Sequence, residues 1–200
     1  MNCERLNYGK FSPELKQKLI DYGKEKRNNT NYIGSNWKPN GTDEVNYGDI
    51  NVYPIDEYFK REIKKYFDNN NISHPDWENK MFGVQVVTGG DSGNFPPHRD
   101  PPYHRVKDFI YILDTGGDNV ITSWWEVKNA KLADNSYYVP TSEEIFTPIS
   151  EEILDEVESH KTEEDTWYKF NFSEIHSVRN IKRFRVAFVT WGDTRNFKRR

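Results

Sequence analysis

The spacing of apolar side chains changes near residue 81, and this change limits the possible folds more than any other feature of the chain. Before it, Ile55, Phe59, Ile63 and Phe67 recur every four residues beside Tyr58 and Tyr66. That spacing draws an apolar stripe along a helix opened by Pro54 and ended by Asp68-Asn69-Asn70-Asn71. An earlier helix starts at Ser12-Pro13-Glu14, which offers an N-cap, a proline for the first turn and an acid near the positive end of the helix dipole. Leu15, Leu19 and Tyr22 then share one face. The Asn- and Gly-rich stretch 28–50 between the two reads as a loop.

After residue 81 the apolar runs become short and β-like, at 82–88, 106–113, 120–127, 152–159, 167–172 and 184–191. Thr88-Gly89-Gly90-Asp91 and Asp114-Thr115-Gly116-Gly117-Asp118 separate them with turn chemistry. The stretch 142–159 fits either a helix or a loop plus strand. Helices followed by many short strands predict a mainly β chain, a double-stranded β-helix (jelly roll) with N-terminal helices packed on one sheet. Its length suits a single domain over 1–200, with helical support in 1–80, a jelly-roll core in 81–191 and a basic tail in 192–200. Apolar residues make up only 34% of the chain, so the 15% that are aromatic must supply much of the core.

Charge and cysteine content narrow the function. A net charge of −4 gives no general attraction to nucleic acid, and Arg195, Lys198, Arg199 and Arg200 read as a solvated tail. Cys3 is the only cysteine, which rules out an internal disulfide and a thiolate zinc cluster. The start lacks a signal-peptide core and no run of about 18 apolar residues occurs, so a cytoplasmic protein without a membrane partner is expected.

The strongest chemical pattern is Pro96-Pro97-His98-Arg99-Asp100-Pro101. In an extended chain residues two apart point the same way, so His98 and Asp100 project together and Arg99 points away. The prolines deny the segment helical geometry. An imidazole and a carboxylate side by side are two-thirds of the facial triad of mononuclear non-haem iron(II) oxygenases. The third ligand should be a histidine on a distant strand, and His176 is the best candidate. His74 and His160 lie in loop-like or charged surroundings, while His104 is a candidate for the pocket mouth.

The stretches Trp167-Tyr168-Lys169-Phe170-Asn171-Phe172, Ile175-His176-Ser177-Val178 and Phe184-Arg185-Val186-Ala187-Phe188 strengthen the pattern. With the His98 element, they resemble the 2-oxoglutarate/iron(II) dioxygenase superfamily over about residues 81–191, nearest its small prolyl-hydroxylase-like and phage-encoded members. The resemblance implies a jelly roll that uses Fe(2+), 2-oxoglutarate and O2 and releases succinate and CO2. It also implies hydroxylation, because related halogenating enzymes lack the acid that Asp100 supplies. The far carboxylate of 2-oxoglutarate needs an inward cation, and alternation along 184–191 puts Arg185, Ala187 and Val189 on one face and Phe184, Val186 and Phe188 on the other. Arg185 is therefore the expected anchor, with Arg105 and Lys182 as competitors. Many members carry Ser or Thr where this chain has Ala187, so the missing hydroxyl is sought at Tyr111 or Thr190.

Two other functions compete. His98, Asp100 and His176 suit zinc or manganese for hydrolysis, with Glu174 as base, although hydrolysis has no need of an inward arginine. A jelly-roll structural or binding module is the second. Trp124 and Trp125 are adjacent and face opposite ways, so one is expected in the core, and the other either packs as a second-sheet core contact or stacks on a substrate approaching past Gly89–Pro97 and Tyr103-His104. A protein side chain or small molecule is favoured as substrate over long nucleic acid, and the oligomeric state is left open.

Overall fold

The computed structural model describes residues 1–29, 45–46, 50–72, 80–89, 92–100, 107–128 and 148–191. Among these, the strands form two antiparallel sheets. The larger runs in the order β1 (Cys3–Leu6), β9 (Thr166–Asn171), β6 (Lys107–Asp114), β11 (Arg185–Trp191), β4 (Met81–Val87), β3 (Ile50–Pro54) and β2 (Val45–Asn46). The smaller runs β5 (Phe95–His98), β10 (Ile175–Arg179), β7 (Ile121–Val127) and β8 (Leu154–Lys161). Two helices accompany them, α1 (Pro13–Asn29) and α2 (Glu57–Asn69).

Local signals explain most boundaries. Ser12 Oγ accepts the Leu15 amide at 3.2 Å, capping α1 where the sequence places the cap. Helix α2 begins later than Pro54, because Asp56 is its cap and accepts the Phe59 amide at 3.0 Å. Pro54 instead ends β3, an unexpected strand whose apolar residues complete the sheet beside β4. The first 80 residues are thus more than a helical support. Both β1, which pairs with β9, and β3 belong to the large sheet.

Strand alternation sorts the core into layers. One face of the large sheet carries Val84, Val86, Tyr111, Trp167, Val186 and Phe188, packed against Leu19 of α1 and Phe59, Ile63 and Phe67 of α2. Gly23 lets α1 approach closely, since a Cβ there would lie 2.6 Å from Val84 Cγ1. The opposite face carries Ile110, Ile112, Ala187 and Val189, which meet Trp124 of the small sheet. The helices cover one sheet, and the site lies between the two sheets. Among the described residues no helix is long and apolar enough to cross a membrane.

Trp124 and Trp125 do face opposite ways, and both are buried, so the second tryptophan is a core residue and does not stack on a substrate. Trp125 is buried on the outer side of the small sheet against Ile149, Ile153, Leu154 and Ile175, and its Nε1 donates to Ser177 Oγ at 2.9 Å. The segment just before β8 therefore builds an additional small core, which the 142–159 pattern did not reveal.

Candidate functional site

Strands β5 and β10 are antiparallel neighbours, and His98 pairs directly with His176. Both imidazoles are buried, with ring centroids 4.4 Å apart. His98 Nδ1 lies 2.8 Å from the Pro96 carbonyl and His176 Nδ1 lies 2.9 Å from the Glu174 carbonyl. A carbonyl only accepts, so each Nδ1 carries a hydrogen and each Nε2 is the ring nitrogen left to face Asp100. Asp100 Oδ1 lies 3.5 Å from His98 Nε2 and 3.7 Å from His176 Nε2. One ligand atom from each of the three residues lies within 4.8 Å of the others. Burial, followed by the neighbouring His98, pushes the His176 imidazole down to about 4, with Asp100 opposing, so His176 is neutral at pH 7.

Two imidazole nitrogens and a carboxylate oxygen facing one point are a donor set suited to a first-row divalent ion. Carbonyl acceptors behind both imidazoles fix the tautomer that a metal requires. The prolines preceding His98 hold β5 extended, and Asp100, two residues past its end, turns its carboxylate toward both imidazoles.

The same cleft between the sheets is lined by Arg185. Arg185 is 2% exposed, and its Nε and Nη2 meet no hydrogen-bond partner. No ion pair to it occurs among the described residues. Burial pushes its guanidinium down to about 10, with the Tyr168 phenol opposing, so it remains charged at pH 7. A buried cation without a counter-charge is costly. Gly116 helps to place it: with φ at +79°, its carbonyl accepts the Lys182 and Arg183 amides at 2.9 Å each. A Cβ at Gly116 would lie 2.8 Å from the Arg185 nitrogen, so the turn presses against the start of β11.

The other expected residues lie elsewhere. Tyr111 is on the helix side of β6, donating to Asp165 at 3.2 Å and accepting the Phe11 amide at 3.2 Å. Thr190 is an odd number of residues from Arg185 and so faces away from it, bonding to the Asp108 carboxylate. Neither lines the cleft. The buried hydroxyl that does line it is Thr122 on β7, which the sequence reading passed over. Strand alternation puts it on the side of Trp124, but only the fold decides that this side is the interior. Lys182 is exposed, and Arg183 pairs with Asp114 at 3.0 Å. Glu174 is exposed, and His160 bonds to Glu158 at 2.8 Å. His74, Tyr103, His104, Arg105 and the tail from 192 onward lie outside the described residues.

Among solved structures the chain is similar to a prolyl hydroxylase from Trichoplax adhaerens in complex with a hypoxia inducible factor oxygen degradation domain peptide fragment. That match has a TM-score of 0.51 at 11% identity and covers 98% of this chain and 86% of the other. A prolyl-4-hydroxylase from Pseudomonas putida matches with a TM-score of 0.48 at 10% identity, covering 96% and 92%. No protein-family model and no curated protein matches the sequence. The mainly β architecture of two antiparallel sheets is thus similar to the jelly-roll fold of prolyl hydroxylases, and it carries a buried His98, Asp100 and His176 group.

Proposed function

We propose that this chain is an iron(II)- and 2-oxoglutarate-dependent oxygenase that hydroxylates its substrate. His98, Asp100 and His176 would hold the metal, and Arg185 would bind the far carboxylate of 2-oxoglutarate. The observation that carries the reading is the charged, unpaired Arg185 in the same cleft as the three metal-type donors. With iron and co-substrate bound, the chemistry supplied is oxidative decarboxylation to succinate and CO2, one oxygen atom of O2 entering succinate and the other the substrate. The protein's own contribution is positional. The Pro96 and Glu174 carbonyls keep the imidazoles in one tautomer, Asp100 supplies the only negative charge of the donor set, and apolar walls from Val87, Phe95, Ile110 and Phe170 exclude water.

The competing readings find no comparable support. A hydrolase would rely on Glu174 as base, but that residue is exposed and does not line the cleft. A protein side chain is the first substrate class to examine, since the similar Trichoplax protein is in complex with a peptide fragment. The test is mass-spectrometric detection of succinate made from 2-oxoglutarate and iron(II), with and without candidate peptides and small molecules. Failure to form succinate above a metal-free control would remove the proposal.

A further inference from the structure

The strand that carries His98 is poorly equipped to hold its own position. Pro96 and Pro97 make up half of β5, and neither has an N–H to give to a ladder. Pairing with β10 is irregular as well. His98 faces His176 and Phe95 faces Val178, so β5 carries one residue more than β10 over the same span. β5 is also the edge of the small sheet, with β10 on one side and no strand on the other. A side chain on such a strand stands at a fixed point only if something besides the ladder holds the backbone.

That support comes from the segment before β8. The Ile149 amide donates to the Pro97 carbonyl at 2.8 Å, and the Ile149 side chain is buried against Trp125. The chain then makes a short 3₁₀ turn, Glu151–Ile153, capped by Ser150. At its end the Ile153 carbonyl accepts the Lys128 amide at 3.0 Å, just past β7. Because β10 lies between β5 and β7, the segment passes over the outer face of β10, the strand of His176, and Ile175 packs in the same cluster. Two strand spacings are about 10 Å, and a chain running from 149 to 153 reaches at most about 14 Å, so there is little slack. Trp125 fastens the middle, since its register partner is Ile175 and its Nε1 donates to Ser177 Oγ. Ile175 and Ser177 are the two neighbours of His176, and they point outward as it points inward.

Resting on the metal-site reading, we infer that residues 149–153 and Trp125 form a strap across the outer face of the small sheet that sets where the His98 and His176 imidazoles stand. Ile149, Trp125 and Ser177 are positioning residues. None of them lines the cleft, and each acts through the backbone of a strand that carries a donor. Pro97 lies between His98 and the Pro96 carbonyl that orients its ring, so a shift of the Pro97 carbonyl moves both. His176 is held in the same way between Ile175, packed under the strap, and Ser177, bonded to Trp125. One device on the outside of the sheet thus fixes both imidazoles on the inside.

The test is titration of the full chain with cobalt(II), followed by the visible absorption of the bound ion, which reports affinity and donor geometry together. Ile149→Ala empties the strap's anchor on β5, and Trp125→Phe keeps a ring while removing the bond to Ser177. Each should weaken cobalt binding roughly tenfold, the low end of the effect of losing an outer-shell partner, and should shift the absorption bands. Ile149→Val keeps the amide and most of the packing and should stay within about threefold of wild type. Gly23→Ala, which crowds α1 on the far side of the large sheet, serves as the control for a general loss of stability. It should lower the melting temperature yet keep wild-type affinity and bands. Wild-type affinity and bands in both Ile149→Ala and Trp125→Phe, or an equal loss in Gly23→Ala, would overturn the strap while leaving the metal site intact. No cobalt binding by the wild type would instead overturn the metal-site reading and the strap with it.

Discussion

His98 and His176 pair across adjacent strands, and each turns its Nδ1 to the carbonyl two residues before it, Pro96 for one and Glu174 for the other. The repeated arrangement leaves both Nε2 atoms facing Asp100 Oδ1. Tautomer and orientation are therefore set by the backbone.

The donor set predicts a metal affinity that depends on all three side chains. Asp100→Ala removes the only anionic donor, and manganese(II) or cobalt(II) affinity should fall by about a hundredfold or more, at least the effect of losing an outer-shell partner. Titration of the purified variant measures it. Unchanged affinity would show that the ion, if bound, sits elsewhere.

Arg185→Ala should raise the apparent Michaelis constant for 2-oxoglutarate by roughly a hundredfold, since charge-assisted hydrogen bonds contribute about 1.5–3 kcal/mol each and a decade corresponds to about 1.4 kcal/mol. Metal affinity should persist. Arg185→Lys should recover only part of the loss, because one ammonium does not reproduce the planar fork. A normal constant in Arg185→Ala, with a raised one in Arg105→Ala, would transfer the anchor to Arg105.

Among the described residues no acid pairs with the buried Arg185 guanidinium. Arg185→Met keeps most of the volume and removes that charge, so the ligand-free protein should become more stable by about 1 kcal/mol or more. For a chain of this length the melting temperature should rise by roughly 2–4 °C per kcal/mol. The same variant should lose the stabilisation that 2-oxoglutarate gives the wild type. A lower melting temperature would mean that the guanidinium is satisfied in the folded protein.

Gly23 packs α1 on the face of the large sheet that points away from the cleft. A Cβ there meets Val84 Cγ1 at 2.6 Å and Val86 Cγ2 at 3.0 Å, so Gly23→Ala should cost about 1–3 kcal/mol in overpacking, against about 1 kcal/mol regained in helix propensity. Thermal denaturation should show a net loss, while the Michaelis constant for 2-oxoglutarate stays at the wild-type value. A changed constant would link α1 to the cleft on the far side of the sheet.

The sequence by itself determined what depends on local geometry. Period-two spacing picked out His98 with Asp100, and alternation brings Arg185 with Ala187 to the face opposite Val186 and Phe188, which would also have excluded Thr190. Four-residue spacing marked α2, and Ser12 marked the start of α1. Tertiary structure decided which face of each strand became the interior, because alternation fixes parity within one strand and says nothing of its neighbours. Tyr111 thus fell on the helix side, paired with Phe188, and β3 appeared only once β4 offered an edge to pair with. Trp125 became core because residues from Ile149 to Leu154 cover it. The meeting of Thr122 with Arg185 in one cleft also required the fold. The two lie on different sheets, and only packing of one sheet on the other brings their buried polar atoms to a shared space.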